Sequence, residues 1–300
     1  MEQKTDEYKE KIAIITDSCA DVPKDLEKQY GIYVLPMVIS CQDGEYKDGI
    51  DIHAEDVYEK LKKEMPKTST PTGEDLENLL EKLKQEGYDK AIAIMISSGL
   101  SGTVNHVRLS VEDSDLEVCV IDSLSASIGN GAIVLQAAIW REEGVPYAEL
   151  CDKVKGLCRD TKVFFSIDTL EYLQKGGRIG KATALVGTAL SIKPILSFDD
   201  EGEIYTPAKV RGHKLVEKKL LSLVEECAAV PENTGRHYNI VVADGGAPEE
   251  GEELERKMKE LFPDYHRLFR AKIGAALSAY LGPGLLGAGI QFVPENNNPD

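Results

Sequence analysis

The segment Lys90-Ala91-Ile92-Ala93-Ile94-Met95-Ile96-Ser97 runs directly into Ser98-Gly99-Leu100-Ser101-Gly102-Thr103. A near-continuous apolar run of this length fits a strand buried on both faces, as in a parallel sheet. The small, hydroxyl-rich residues after it suit a tight turn into a helix predicted over Thr103–Val111. Three more β-rich runs share the first half, at Lys11–Asp17, Tyr33–Ser40 and Glu117–Asp122. Amphipathic helical patterns at Asp21–Tyr30, Ala54–Met65, Gly73–Glu86, Ser127–Glu143 and Pro146–Arg159 lie between or after them. Strands alternating with helices predict a doubly wound, mainly parallel α/β sheet over residues 1–160.

After Asp160 the pattern changes to a second α/β unit with a mixed sheet, over residues 161–300. Its predicted parts are a strand Val163–Ile167, the glycine-bearing turn Gln174–Arg178, and a small-residue helix Lys181–Ser191. A hairpin over Pro194–Val210 turns at Asp199-Asp200-Glu201-Gly202. A helix Gly212–Ala228, a strand Tyr238–Ala243, a helix Pro248–Phe262 and an apolar segment Gly282–Phe292 follow. Gly282-Pro283-Gly284-Leu285-Leu286-Gly287 formally matches G-x-G-x-x-G but reads as a glycine turn feeding the last strand.

The net charge of −17, without a Lys/Arg-rich run, argues against nucleic acid and against unaided binding to anionic membranes. No apolar run approaches the roughly 18–20 residues that span a bilayer, and the first ten residues lack a signal-type apolar core. The six cysteines are scattered, with no C-x-x-C pair and no zinc spacing, so a reducing, cytoplasmic compartment and no metal are expected.

Two hydroxyl-rich loops carry the candidate chemistry. One is Lys67-Thr68-Ser69-Thr70-Pro71-Thr72, where Thr72 and Asp75 form a predicted helix N-cap and the other hydroxyls have no evident local role. The other is Ser97–Thr103, at the carboxyl end of a buried strand, where open α/β sheets bind ligands and free N–H groups favour an anion. A phosphate usually recruits Lys or Arg, and no P-loop is present. A single carboxylate can be satisfied by two hydroxyls and backbone N–H groups. The helix with Ala182, Ala184, Gly187, Thr188 and Ala189 either packs closely or lines an acyl tunnel.

In order along the chain, these residues resemble the DegV family, fatty-acid-binding subunits that partner bacterial fatty acid kinase. Ile15-Thr16-Asp17-Ser18-Cys19-Ala20-Asp21 is similar to its V-T-D-S-T-A-D opening, and Lys67–Pro71 to its K-T-S-Q-P loop with Thr70 in place of Gln. Ser97–Thr103 matches its S-S-x-L-S-G-T loop, and Lys175–Ile179 its K-G-G-R-I turn. Asp122-Ser123, Ile192-Lys193-Pro194, Arg211 and Gly282-Pro283-Gly284 complete the likeness, from about Lys11 to Phe292. The resemblance implies that Thr68 and Ser101 bond the carboxylate of a long-chain fatty acid, supported by Ser69, Ser98 and backbone near Gly102. It implies no cofactor, no catalytic residue of the chain's own, and presentation of the acid to a separate ATP-dependent kinase, with Arg211 serving that encounter. Tyr280 stands where the family usually has histidine; it can donate a hydrogen bond but carries no charge at neutral pH. A serine hydrolase using Ser101, or a module for another small carboxylate or a phosphorylated metabolite, are the competing readings. Gly99-Leu100-Ser101-Gly102-Thr103 fails G-x-S-x-G at its last position.

Overall fold

A computed structural model describes residues 10–185 and 192–294. The chain begins β1 (Ile12–Asp17), α1 (Lys24–Gln29), β2 (Ile32–Leu35), β3 (Val38–Cys41), β4 (Gly44–Lys47) and α2 (Ala54–Leu61). It continues β5 (Lys67–Ser69), α3 (Gly73–Gln85), β6 (Lys90–Met95), α4 (Thr103–Ser110), β7 (Glu117–Asp122), α5 (Ile128–Glu142) and α6 (Tyr147–Asp160). Then come β8 (Thr161–Ser166), α7 (Glu171–Gly176), β9 (Ile192–Phe198), β10 (Ile204–Arg211) and α8 (Val216–Ala228). The last elements are β11 (His237–Gly245), α9 (Pro248–Leu261), β12 (Leu268–Lys272), α10 (Ala275–Leu281) and β13 (Leu285–Val293).

The first sheet is parallel throughout, in the order β2-β1-β6-β7. Its central strands β1 and β6 are buried along almost their whole length, as their unbroken apolar sequences require. The second sheet is mixed, in the order β10-β9-β8-β13-β11-β12, with only β11 and β12 parallel. Helix α5 touches β1 and β6 of the first sheet and β8, β11 and β12 of the second. It is buried from Ile128 to Trp140, the expected state of a helix apolar all round.

Several expectations needed correction. The run Tyr33–Ser40 is not one strand: Pro36, which lacks an N–H, separates β2 from β3. Strand β3 enters a third, antiparallel sheet of order β4-β3-β5 instead. The Lys67–Thr72 loop begins as strand β5, with Thr68 opposite Ile39. Gln174–Arg178 is the end of helix α7, closed by Gly177 in the left-handed conformation at φ 72°. The sequence reading had no separate β12 or α10. Of the small-residue helix, Gly180–Leu185 is a 3-10 turn, and Gly187, Thr188 and Ala189 lie outside the described residues.

Candidate functional site

The carboxyl end of β6 is held by side chains rather than left as an open loop. Buried Asp17 accepts from Ile96 N (2.7 Å) and Cys19 N (3.0 Å), and burial pushes its carboxyl up to about 6. Ser97 Oγ donates to Gly202 O across the β9–β10 turn at 2.8 Å. A Cβ on Gly99 would meet Gly202 O at 2.7 Å, so a glycine is needed where the two loops touch. The loop then turns into α4, with Ser101 Oγ 2.8 Å from Thr103 Oγ1.

On the facing side, Thr68 Oγ1 lies 2.8 Å from Tyr280 Oη. Tyr280 is carried by α10, whose first turn is tied to the amino-terminal half by carboxylates. Gly274 N–H donates to Asp21 (2.9 Å) and Ala275 N–H to Asp48 (3.0 Å). Acidic groups at a helix start are favourably placed against its free N–H groups. The ring of Tyr280 fills the space over Gly176, where a Cβ would meet it at 2.3 Å. The Arg178 guanidinium sits 5.1 Å from that ring's centre and donates to Gly176 O at 2.7 Å.

Thr68, Ser101, Tyr280 and Arg178 among these groups line a cavity of about 310 Å³. That is near the lower bound of the roughly 300–1,000 Å³ usual for small-molecule sites. Thr68, Ser69, Thr70, Ser101, Gly102 and Tyr280 line it together with Arg178. Apart from Ser127, the remaining wall is apolar. Met37 and Leu100 flank the hydroxyls, Leu277 and Leu281 come from α10, and Phe165 and Phe198 pack with ring centroids 5.6 Å apart. Room for the cavity comes from small residues on the second sheet, where Gly287 pairs with Ala243 on one side and Phe165 on the other.

The structure therefore brings five expected residues, Thr68, Ser69, Ser101, Gly102 and Tyr280, to one cavity. Ser98 is not in its wall: the side chain is exposed, and the backbone N–H is turned to the Asp122 carboxylate at 3.2 Å. Arg211 is exposed at the end of β10, opposite Ile192, and also outside the cavity wall. Arg178 was missed as a wall residue, although the K-G-G-R-I turn that carries it is visible in sequence. Phe165, Phe198 and Met37 gave no signal beyond being apolar.

A family model for DegV, described as a family of uncharacterised proteins, matches residues 11–293. The chain belongs to the DegV family. A DegV domain-containing protein of Clostridium acetobutylicum is 39% identical over 282 residues, covering 94% of this chain and 99% of its own. Among solved structures, a fatty-acid-binding DegV family protein of Thermus thermophilus aligns with a TM-score of 0.86 at 29% identity. That alignment covers 94% of this chain and 99% of the other. A stearic-acid-binding protein of Eubacterium ventriosum aligns with a TM-score of 0.85 at 25% identity, covering 94% and 98%. The α/β architecture with one parallel and one mixed sheet is thus that of DegV proteins. Among the described residues, no helix is long and apolar enough to cross a membrane.

Proposed function

We propose that this DegV protein is a soluble, cytoplasmic carrier that holds a long-chain fatty acid with its carboxylate at the hydroxyl end of the cavity. The observation that carries the reading is the cavity's mixed chemistry. Thr68 and Arg178 both touch Tyr280, Arg178 also reaches Leu100 O beside Ser101, and most of the other lining residues are apolar. A carboxylate accepts several hydrogen bonds, and charge-assisted bonds are about twice as strong as neutral ones. A chain of about fifteen methylenes at roughly 0.8 kcal/mol each gives an upper bound near 12 kcal/mol before ordering costs. The tail then supplies most of the affinity, and the head group sets the orientation. The fatty acids bound by the Thermus and Eubacterium relatives support the same ligand class.

The competing hydrolase finds no base on its nucleophile: Ser101 Oγ is hydrogen-bonded to Thr103, and among the described residues no histidine bonds it. Native mass spectrometry of the purified protein tests the reading directly. A co-purified mass equal to a long-chain acid is expected; a small carboxylate or a phosphorylated metabolite in its place overturns it.

The same proposal has the bound acid presented to a separate ATP-dependent kinase. Exposed Arg211, outside the cavity, suits contact with a partner or with its phosphoryl group better than contact with the acid. Arg211→Ala is expected to lower kinase turnover several-fold at saturating loaded carrier while leaving acid affinity unchanged. Tyr280→His, which restores a side chain able to carry charge, should raise turnover. Equal turnover in all three proteins would remove both positions from the transfer.

A further inference from the structure

Helix α6 lies along β7, an edge strand of the first sheet, and two contacts set how they are aligned. Tyr147 Oη, at the start of the helix, donates to Glu117 O at the start of the strand at 3.1 Å. At the far ends, Leu124 and Ser125, just past the strand's last residue Asp122, line one crevice with Cys158 of the helix. From Tyr147 to Cys158 the helix advances eleven residues, and from Glu117 to Asp122 the strand advances five. At about 1.5 Å and 3.3 Å per residue, both advances are roughly 16 Å, so helix and strand run in step. Four residues into the helix and two into the strand, the same rule sets Cys151 beside Cys119. Cys119 packs against the same buried apolar cluster to which Cys151 belongs, and both thiols are free. Neither lines the acyl cavity.

We propose that Cys119 and Cys151 are a redox modification site, joined by a reversible disulfide when the protein meets a peroxide. The two thiols have different parts. Cys119 is half-buried on the edge strand, where a small oxidant can reach it, and Cys151 is buried behind it. The neighbouring Cys151 thiol, helped by the Lys155 ammonium, lowers the Cys119 thiol against desolvation and the charges of Asp152 and Glu117. Cys119, the more exposed of the two, is accordingly the attacking thiolate and Cys151 the resolving thiol.

The chemistry balances. The Cys119 thiolate attacks one oxygen of hydrogen peroxide and breaks the O–O bond; hydroxide leaves and takes a proton to become water. Cys119 is then a sulfenic acid. The Cys151 sulfur attacks the Cys119 sulfur, and the sulfenic oxygen leaves as a second water with the Cys151 proton. Two thiols have been oxidised to one disulfide, and one peroxide has been reduced to two waters. Beyond the linked residues, β7 leads to Ala126 and Ile128 and α6 leads to Val163 and Phe165, all in the cavity wall. The bond would therefore brace the two segments that enter that wall.

The test uses the reduced full-length protein, treated with hydrogen peroxide, alkylated with iodoacetamide and digested for mass spectrometry. Two of the six thiols should escape alkylation and appear as one Cys119–Cys151 linked peptide pair, which dithiothreitol dissolves. Cys119→Ser should abolish the link, and Cys151→Ser should leave a sulfenic acid at residue 119 that dimedone traps. Six alkylated thiols after peroxide, a different pairing, or a persistent sulfenic or sulfinic acid on wild-type Cys119 would each overturn the proposal. The wild-type result decides even if either serine variant fails to fold.

Discussion

Thr68 and Ser101 reach the cavity from unrelated segments, one on a three-residue strand and the other in a strand-to-helix turn. Each offers one hydroxyl, and Thr68 also holds the Tyr280 phenol. Losing a hydrogen bond to a charged group costs roughly 1.5–3 kcal/mol, or about ten- to a hundred-fold in affinity. Thr68→Ala and Ser101→Ala should each weaken fatty acid binding by about that much in calorimetric titration, with the folded circular dichroism spectrum retained. Unchanged affinity in both variants and in the double variant would exclude this head-group site. The hydroxyls were legible from the two loop motifs that carry them. Arg178 was not, because its place over the Tyr280 ring depends on α7 ending where α10 passes.

At the scale of elements, the cavity exists because β13 and β11 place two small residues in the row that Phe165 begins. Ala243 and Gly287 are cross-strand partners, so the small side chains sit abreast and leave room for a ligand. Ala243→Leu adds three carbons to this wall. The longest acid accommodated should shorten by about two or three methylenes, with each excluded methylene costing roughly 0.8 kcal/mol. Binding measured across a series of saturated acids checks this; an unchanged optimum would place the tail elsewhere. Sequence periodicity identified β11 and β13 as apolar strands, but periodicity does not state which strands will be neighbours. The order β8-β13-β11, which puts Phe165, Gly287 and Ala243 in one row, is a tertiary fact.

At the scale of the whole molecule, Asp21 joins the two halves by accepting from Gly274 N–H and from Ser127 Oγ. Burial, then the neighbouring Asp48 charge, raises it to about 7 from 3.8, while those hydrogen bonds oppose the rise. An acid raised on folding binds more protons in the native state than in the unfolded chain between those two values. Its contribution to stability is full below the unfolded pKa and is lost as pH rises through the folded one. Asp21→Asn keeps an acceptor for Gly274 N–H but cannot ionise. The urea-derived stability of wild type minus that of the variant should therefore fall between about pH 4 and 7 and level off above. A difference independent of pH would mean that Asp21 does not titrate in this window.

The sequence by itself determined the alternation of buried strands and amphipathic helices, hence an α/β chain, and the presence of the two hydroxyl-rich loops. Both are local properties: strand burial follows from an unbroken apolar run, and Thr72 caps α3 by accepting from Asp75 N, three residues on. Tertiary structure alone decided that Pro36 diverts β3 into a third sheet, that Ser98 turns away from the cavity, and that α10 returns from the second half to set Tyr280 against Thr68. Thr68 and Tyr280 lie 212 residues apart. No local pattern encodes such a meeting, because it depends on the packing of α10 against α2 and on the two carboxylates, Asp21 and Asp48, that hold its first turn.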